Sequence, residues 1–355
     1  MSAAAKHDIR CWKALKPISQ GRYDHGCCKI DDHRMIILGG RNAYAKTLSS
    51  GMIYDVRTEL WTPLPNDMPK SLRDFGIAGN DKYVFIIGGE SPGRLSKAVY
   101  RLSLETFEWT TMAPMDTVRN RFAAVRKGDY IYVFGGSGNG CILKSVERYS
   151  ILNNAWEHLP DTEEGRYDHC AVAGSGSAIY IVGGDNINSS LEIFDTTPLL
   201  WKIAGTPREI PGKKYAVTVL LKDQYLVMIG RLDEYECVTA DCLIYDIWSK
   251  HWSVTPPSVD ILKPRADDLT AAVLDGKIVI VGGLGCEPDS EFIYINDLLE
   301  YAPLHYPLPS LVLIKYLRLG ELMMIEVARM IIYAKRLRSF KQIAQCDIYK
   351  LEFII

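Results

Sequence analysis

A short apolar run that ends in glycine recurs six times along this 355-residue chain, and no other feature restricts its fold as strongly. The copies are MIILGG (Met35–Gly40), YVFIIGG (Tyr83–Gly89), YIYVFGG (Tyr130–Gly136), IYIVGG (Ile179–Gly184), YLVMIGR (Tyr225–Arg231) and KIVIVGG (Lys277–Gly283). Their first glycines stand at 39, 88, 135, 183, 230 and 282. Tryptophan keeps the same beat at Trp12, Trp61, Trp109, Trp156, Trp201 and Trp252. An apolar residue lies seven before each later tryptophan, at Tyr54, Leu102, Tyr149, Phe194 and Tyr245. Three marks in phase define a structural repeat of about 48 residues.

Each repeat reads as four short strands. The run before the glycines is rich in β-branched and aromatic residues, too short for a stable helix and bounded by turn residues. It lacks polar alternation, as a strand covered on both faces must. Gly39-Gly40, Gly88-Gly89, Gly135-Gly136, Gly183-Gly184 and Gly282-Gly283 permit positive φ and close backbone approach where the chain leaves the core. Tryptophan supplies a wedge between neighbouring sheets. A lone four-stranded sheet cannot bury both faces, so the repeats must stack, and radial stacking gives a propeller.

The glycine pair, the Tyr-x6-Trp spacing and the period resemble kelch repeats over about residues 10–305. The resemblance implies an all-β, six-bladed kelch-type propeller of four-stranded antiparallel blades, strands a to d, with b before the glycines, c carrying the tyrosine and d the tryptophan. Residues 1–16 then supply a lone d strand around Trp12, residues 17–305 the repeats, and residues 306–355 a C-terminal extension. The last c strand is expected near Phe292–Ile295, completed by the N-terminal d strand. Tyr301, seven after Tyr294 in a stretch resembling that around Trp61, is the competing d residue. Copy five, with Arg231 for the second glycine, is expected to be the irregular blade.

Antiparallel order places the b–c and d–a loops on one face, and loops on a rigid scaffold collect binding residues. The b–c candidates are Arg41, Asn42, Tyr44, Glu90, Arg94, Asn139, Asp185, Asn186, Arg231 and Glu234. The d–a connections add a cation per repeat: Arg22, Arg73, Arg121, Arg166, Lys214 and Arg265. Similar positions in kelch propellers often line the partner-binding mouth, as the resemblance implies here. A structural reading stands beside it. Arg22 has Asp24 nearby, Arg73 has Asp74, Arg166 has Asp168 and Arg265 has Asp267, so the set, including the repeated RYDH at Arg22–His25 and Arg166–His169, can tie blades together.

Other chemistry is sparse. Lys and Arg number 41 against 43 Asp and Glu, so no polyanion-binding footprint exists and nucleic acid is not an expected partner. No HExxH, CxxC pair, GxSxG or P-loop occurs, and the histidines are scattered; no metal, cofactor or catalytic residue is assigned. The glycine-dense Gly135–Gly140 stretch leads into a strand, not a helix, and does not suit phosphate. The nine cysteines suit reduced thiols, and without a signal peptide or an uncharged 18-residue span the expected setting is cytoplasmic or nuclear. The expected function is a monomeric, non-catalytic scaffold binding a protein or peptide through the b–c and d–a face. By the resemblance this extends to actin or ubiquitin-ligase association, the latter through a separate chain because no BTB or F-box segment precedes the repeats. The alternative is a kelch-type propeller enzyme, a metal-dependent oxidase, isomerase or specifier.

Residues 308–355 change character, with eight Lys/Arg against four Asp/Glu and no tryptophan. A basic amphipathic helix is expected over residues 311–338, its charged stripe running through Lys315, Arg318, Glu326, Arg329 and Arg336. It suits packing on the propeller or a partner, or peripheral contact with an anionic membrane; a segment foreign to the native protein is the third reading.

Overall fold

The computed structural model describes residues 12–185, 191–203, 216–230, 239–255, 265–287, 290–294 and 298–301, with the backbone alone for 265–268 and 284–301. Every regular element among them is a strand, and none is a helix long and apolar enough to cross a membrane. The helix expected over 311–338 lies outside the described residues.

Five four-stranded antiparallel blades follow the chain, each built from consecutive a, b, c and d strands. Blade 1 comprises Gly26–Lys29, Arg34–Leu38, Gly51–Asp55 and Leu60–Pro63. Blade 2 comprises Gly76–Gly79, Tyr83–Ile87, Val99–Ser103 and Trp109–Met112. Blade 3 comprises Ala123–Lys127, Tyr130–Phe134, Val146–Ser150 and Ala155–Leu159. Blade 4 comprises His169–Ala173, Ala178–Gly183, Glu192–Asp195 and Leu200–Ile203. Blade 5 comprises Val217–Leu221, Tyr225–Ile229, Leu243–Asp246 and His251–Val254, with regular ladders; the turn at Arg231, where the irregularity is expected, lies outside the described residues.

A further sheet joins the two ends of the repeat region. Its order is Trp12–Leu15, Leu298–Tyr301, Lys277–Glu287 and Arg265–Leu274, with Ser290–Tyr294 paired to the far end of Lys277–Glu287. The c strand is therefore Leu298–Tyr301, not the expected Phe292–Ile295, and Tyr301 is not a rival to Trp12 but its cross-strand partner. The same pairing sets Tyr54 opposite Trp61, Leu102 opposite Trp109, Tyr149 opposite Trp156, Phe194 opposite Trp201 and Tyr245 opposite Trp252. Every c mark also faces the residue four before its first glycine, Met35, Val84, Ile131, Ile179, Leu226 and, for Tyr301, Ile278.

The inner a strands form a closed circuit: Gly26–Lys29 packs against Gly76–Gly79, that against Ala123–Lys127, and so on through His169–Ala173, Val217–Leu221 and Arg265–Leu274 back to Gly26–Lys29. The core is correspondingly divided into slabs between neighbouring sheets. Ile36, Leu38, Val84, Ile86 and Leu102 fill the slab between blades 1 and 2, and Met35, Ile37, Tyr54, Leu274, Val279 and Val281 fill that between the closing sheet and blade 1. The tryptophans also work as polar staples: Trp61 Nε1 donates to Lys16 O at 3.1 Å, Trp156 Nε1 to Ala113 O at 2.9 Å and Trp201 Nε1 to Pro160 O at 2.9 Å, each carbonyl belonging to the preceding connection.

The glycine pairs dock each blade on the next. Gly40 N donates to Leu72 O at 2.9 Å, Gly89 N to Arg119 O at 2.9 Å and Gly136 N to Arg166 O at 2.8 Å. At φ of +59° and +82°, Gly39 and Gly40 leave no room for a Cβ, which would sit 2.6 Å from Leu72 O and 2.5 Å from Tyr23 O.

Candidate functional site

The d–a connection and the segment after the glycine pair meet on one face, as strand order requires. Tyr23 N donates to Arg41 O at 3.1 Å and Arg41 N to Tyr23 O at 2.8 Å; the same two-way bridge joins Arg73 to Glu90 and Asn120 to Ser137. In blade 4 Asp185 N donates to Tyr167 O at 3.0 Å. The glycine-dense stretch forms a hairpin, Ser137–Gly138 with Cys141–Ile142, and Glu90–Ser91 pairs with Arg94–Leu95 in another.

The cations taken as one series from the sequence occupy three successive positions with different environments. Arg22, Leu72, Arg119 and Arg166 hold the first. The three guanidiniums there turn inward and are 3%, 0% and 1% exposed. Arg22 Nη1 donates to Gly39 O and Ser50 O, both at 3.1 Å; Arg119 Nη1 donates to Gly135 O at 2.8 Å and Ser145 O at 3.1 Å. Arg119 pairs with the fully buried Glu147 and Arg166 with Glu192, a glutamate of the c strand, while Arg22 is held by Gly39 O and Ser50 in place of the expected Asp24. Burial pulls Arg22 down to about 10.

Tyr23, Arg73, Asn120 and Tyr167 hold the second position and make the bridges just described. Asp24, Asp74, Arg121 and Asp168 hold the third, all left-handed at φ of 55°, 52°, 53° and 53°. Their backbones join head to tail across blades: Asp74 N donates to Asp24 O at 3.1 Å, Arg121 N to Asp74 O at 3.0 Å and Asp168 N to Arg121 O at 3.0 Å. Short-chain Asp accepts this conformation more readily than most residues.

These third-position residues rim a cavity of about 300 Å³ walled by the inner strands, whose side chains are small: Gly26, Gly76, Ala123, Ala171, Ala216 and Thr270. Around the rim Arg41 Nε lies 3.4 Å from Asp24, Arg73 binds Asp74 and reaches Glu90 at 2.6 Å, and Arg121 grips Asp168 through Nε at 2.8 Å and through Nη2. Tyr167 Oη donates to Asp185 at 2.5 Å, which, with burial, raises the phenol to about 12. Burial, then the Asp24 charge, raises the Asp74 carboxyl to about 7. His25 and His169 sit behind the rim; burial, helped by Arg22 and Arg166 respectively, holds both near 3, so both are neutral. His25 Nε2 and Thr270 Oγ1 are 2.8 Å apart.

The remaining sequence candidates divide by exposure. Tyr44 is 90% exposed, and Arg94 and Asn139 are exposed at hairpin tips. Asn42 is buried, its Oδ1 accepting from Tyr44 N at 3.0 Å and Lys46 N at 3.1 Å, which shapes the loop. Arg265 starts the inner strand of the closing sheet and is described by its backbone, while Asn186, Lys214, Arg231 and Glu234 lie outside the described residues. Sequence reasoning missed Arg119, Glu147 and Glu192. The signal was a Glu two residues before the c mark in the two repeats that carry it, Glu147 before Tyr149 and Glu192 before Phe194.

Away from the mouth, Asp116, Glu147 and His158 bring ligand-type atoms together, but Glu147 is engaged by Arg119 and by Asp116 N at 3.1 Å, and His158 Nε2 lies 2.8 Å from Asp116. The described Cys27, Cys28, Cys141 and Cys170 are free thiols. Burial raises Cys27 to about 12 and Cys170 to about 11, which suppresses thiolate chemistry at both.

Comparison with known proteins places the chain in the same class as the fold. The KLHDC2/KLHL20/DRC7 Kelch-repeats domain matches residues 5–184, half of the chain, and the chain belongs to this kelch-repeat family. Among its relatives, Beta-scruin of Limulus polyphemus is 25% identical over 228 residues, 58% of this chain and 24% of that protein. An F-box/kelch-repeat protein of Arabidopsis thaliana is 32% identical over 87 residues, 24% of each chain. Kelch-like protein 38 of Danio rerio is 29% identical over 112 residues, 30% of this chain and 18% of that one. The chain thus spans about a quarter or less of the length of these curated relatives.

Proposed function

We propose that this chain is a six-bladed, non-catalytic protein-interaction propeller, with the sheet completed by Trp12–Leu15 as its sixth blade, that captures a protein or peptide on the face of the b–c and d–a loops. The observation that carries the reading is the backbone bridging of these two loop sets around the cavity rim, which holds exposed Tyr44, Arg94 and Asn139 on a preformed surface. A preformed rim loses little ordering entropy on binding. Kelch-like and F-box/kelch-repeat relatives support the class and leave the partner open. Arg22 and Arg166, being buried, brace the face rather than touch the partner. Association with actin, or with a ubiquitin ligase through a separate chain, are the family-level forms of the proposal.

Crosslinking affinity purification comparing wild type with the Tyr44→Ala/Arg94→Glu double variant tests it. Partner capture is expected to fall at least about tenfold, the size of losing one exposed anchor, with the circular dichroism melt unchanged. Unaltered capture by the folded variant overturns the choice of face.

A further inference from the structure

We propose that Asp24 and Asp74 act as one proton-holding pair at the rim of this cavity, so that the charge of this face changes with pH. The inference concerns the protein alone and stands whether or not a partner docks there.

The geometry begins in the backbone. Asp74 N donates to Asp24 O at 3.1 Å, and both residues are left-handed, which draws the two side chains from adjacent blades to the same place. There they share one cation: Arg73 Nη1 contacts the Asp74 carboxylate and lies 3.8 Å from that of Asp24. The two carboxylates are only 7% and 8% exposed, so water screens their repulsion poorly. The charges of the described residues around them do not cancel it. Arg41 serves Asp24 from blade 1, Arg73 also serves Glu90 within blade 2, and Arg121 of blade 3 is gripped by Asp168 of blade 4. Tyr167 of blade 4 stacks under Arg121 and donates a hydrogen bond to Asp185. Among the described residues, three guanidiniums, Arg41, Arg73 and Arg121, thus answer four carboxylates, Asp24, Asp74, Asp168 and Glu90. Two crowded acids with too little positive charge keep one proton between them.

Burial and the Asp24 charge place this titration near pH 7, on Asp74. The linkage has a definite sign. A carboxyl protonated in the fold and free in the unfolded chain favours folding fully below its unfolded value of 3.8, and that contribution disappears as pH climbs to about 7.

Carboxyl 13C resonances of aspartate-labelled full chain, followed from pH 4 to 9, test the pair directly. One resonance is expected to titrate near pH 7, to vanish in Asp74→Asn, and to move down by about one pH unit or more in Asp24→Asn, since removing the neighbouring charge relieves the pair. Asn tolerates the left-handed backbone at both positions. The advantage of Asp74→Asn over wild type in thermal midpoint is also expected to grow between pH 5 and pH 8. The proposal is overturned if every aspartate titrates below about pH 5.5, or if the high midpoint survives Asp24→Asn unchanged. Wild type and Asp24→Asn alone decide the matter should Asp74→Asn misfold.

Discussion

Blades 1 and 3 place the same residue in the same hole with different counterions. Arg22 and Arg119 each bury a guanidinium against the carbonyl of the first glycine and a serine of the b–c segment. In blade 3 the c strand then offers Glu147, which faces Val133, two before the first glycine; the equivalent residue of blade 1, facing Ile37, is Met52. Arg119 consequently has a carboxylate with no exposure at all, whereas Arg22 is held by neutral oxygens; burial lowers both arginines, and at about 10 Arg22 keeps its charge at neutral pH. The difference teaches that carbonyl groups suffice to hold this arginine in place. The glutamate is an addition whose desolvation cost is balanced by its partner, not a precondition of the blade.

The contrast can be broken most severely at Arg119. Arg119→Met leaves the Glu147 carboxylate buried beside no cation and should cost about 3–5 kcal/mol in urea unfolding. Adding Glu147→Leu should recover most of that, as replacing both members of a buried pair by apolar groups commonly does. A smaller loss is expected from Arg22→Met in blade 1. No carboxylate is stranded there, and the cost is that of carbonyl acceptors left dry, about 1–3 kcal/mol in the same assay. The smallest effect sharpens the comparison. Met52→Glu recreates the blade 3 pair in blade 1, and stability should change by less than about 1 kcal/mol, because attraction and desolvation nearly cancel. Placed in an Arg22→Met background, the same glutamate should be strongly destabilising. If Met52→Glu behaves alike in both backgrounds, the two blades do not share one pairing site.

The fold was legible because its marks are local. Run, glycine pair and Tyr-x6-Trp all fall within one repeat, and each records a backbone constraint or a cross-strand pair that the ladders reproduce. The c strand of the further sheet escaped for the same reason. Its tryptophan partner is Trp12, at the other end of the repeat region, so the local seven-residue spacing, Tyr294 to Tyr301, cast Tyr301 as a d residue instead. The site was legible only as a face. Counting cations along the chain could not separate Arg22, which points into the core, from Arg73, one alignment position later on the rim, because a shift of one residue reverses the direction of a side chain. Nor could spacing reveal that Asp168 answers Arg121 of the preceding blade rather than its own Arg166.

The head-to-tail bonds of Asp24, Asp74, Arg121 and Asp168 have a consequence for how the ring can be watched. Ordinary ladder amides slow their hydrogen exchange when their own sheet is intact. The amides of Asp74, Arg121 and Asp168 are different, since each acceptor belongs to the neighbouring sheet. Their protection gauges the grip of one sheet on the next, and loosening of a single seam would register at a single amide while the sheets on either side stayed closed.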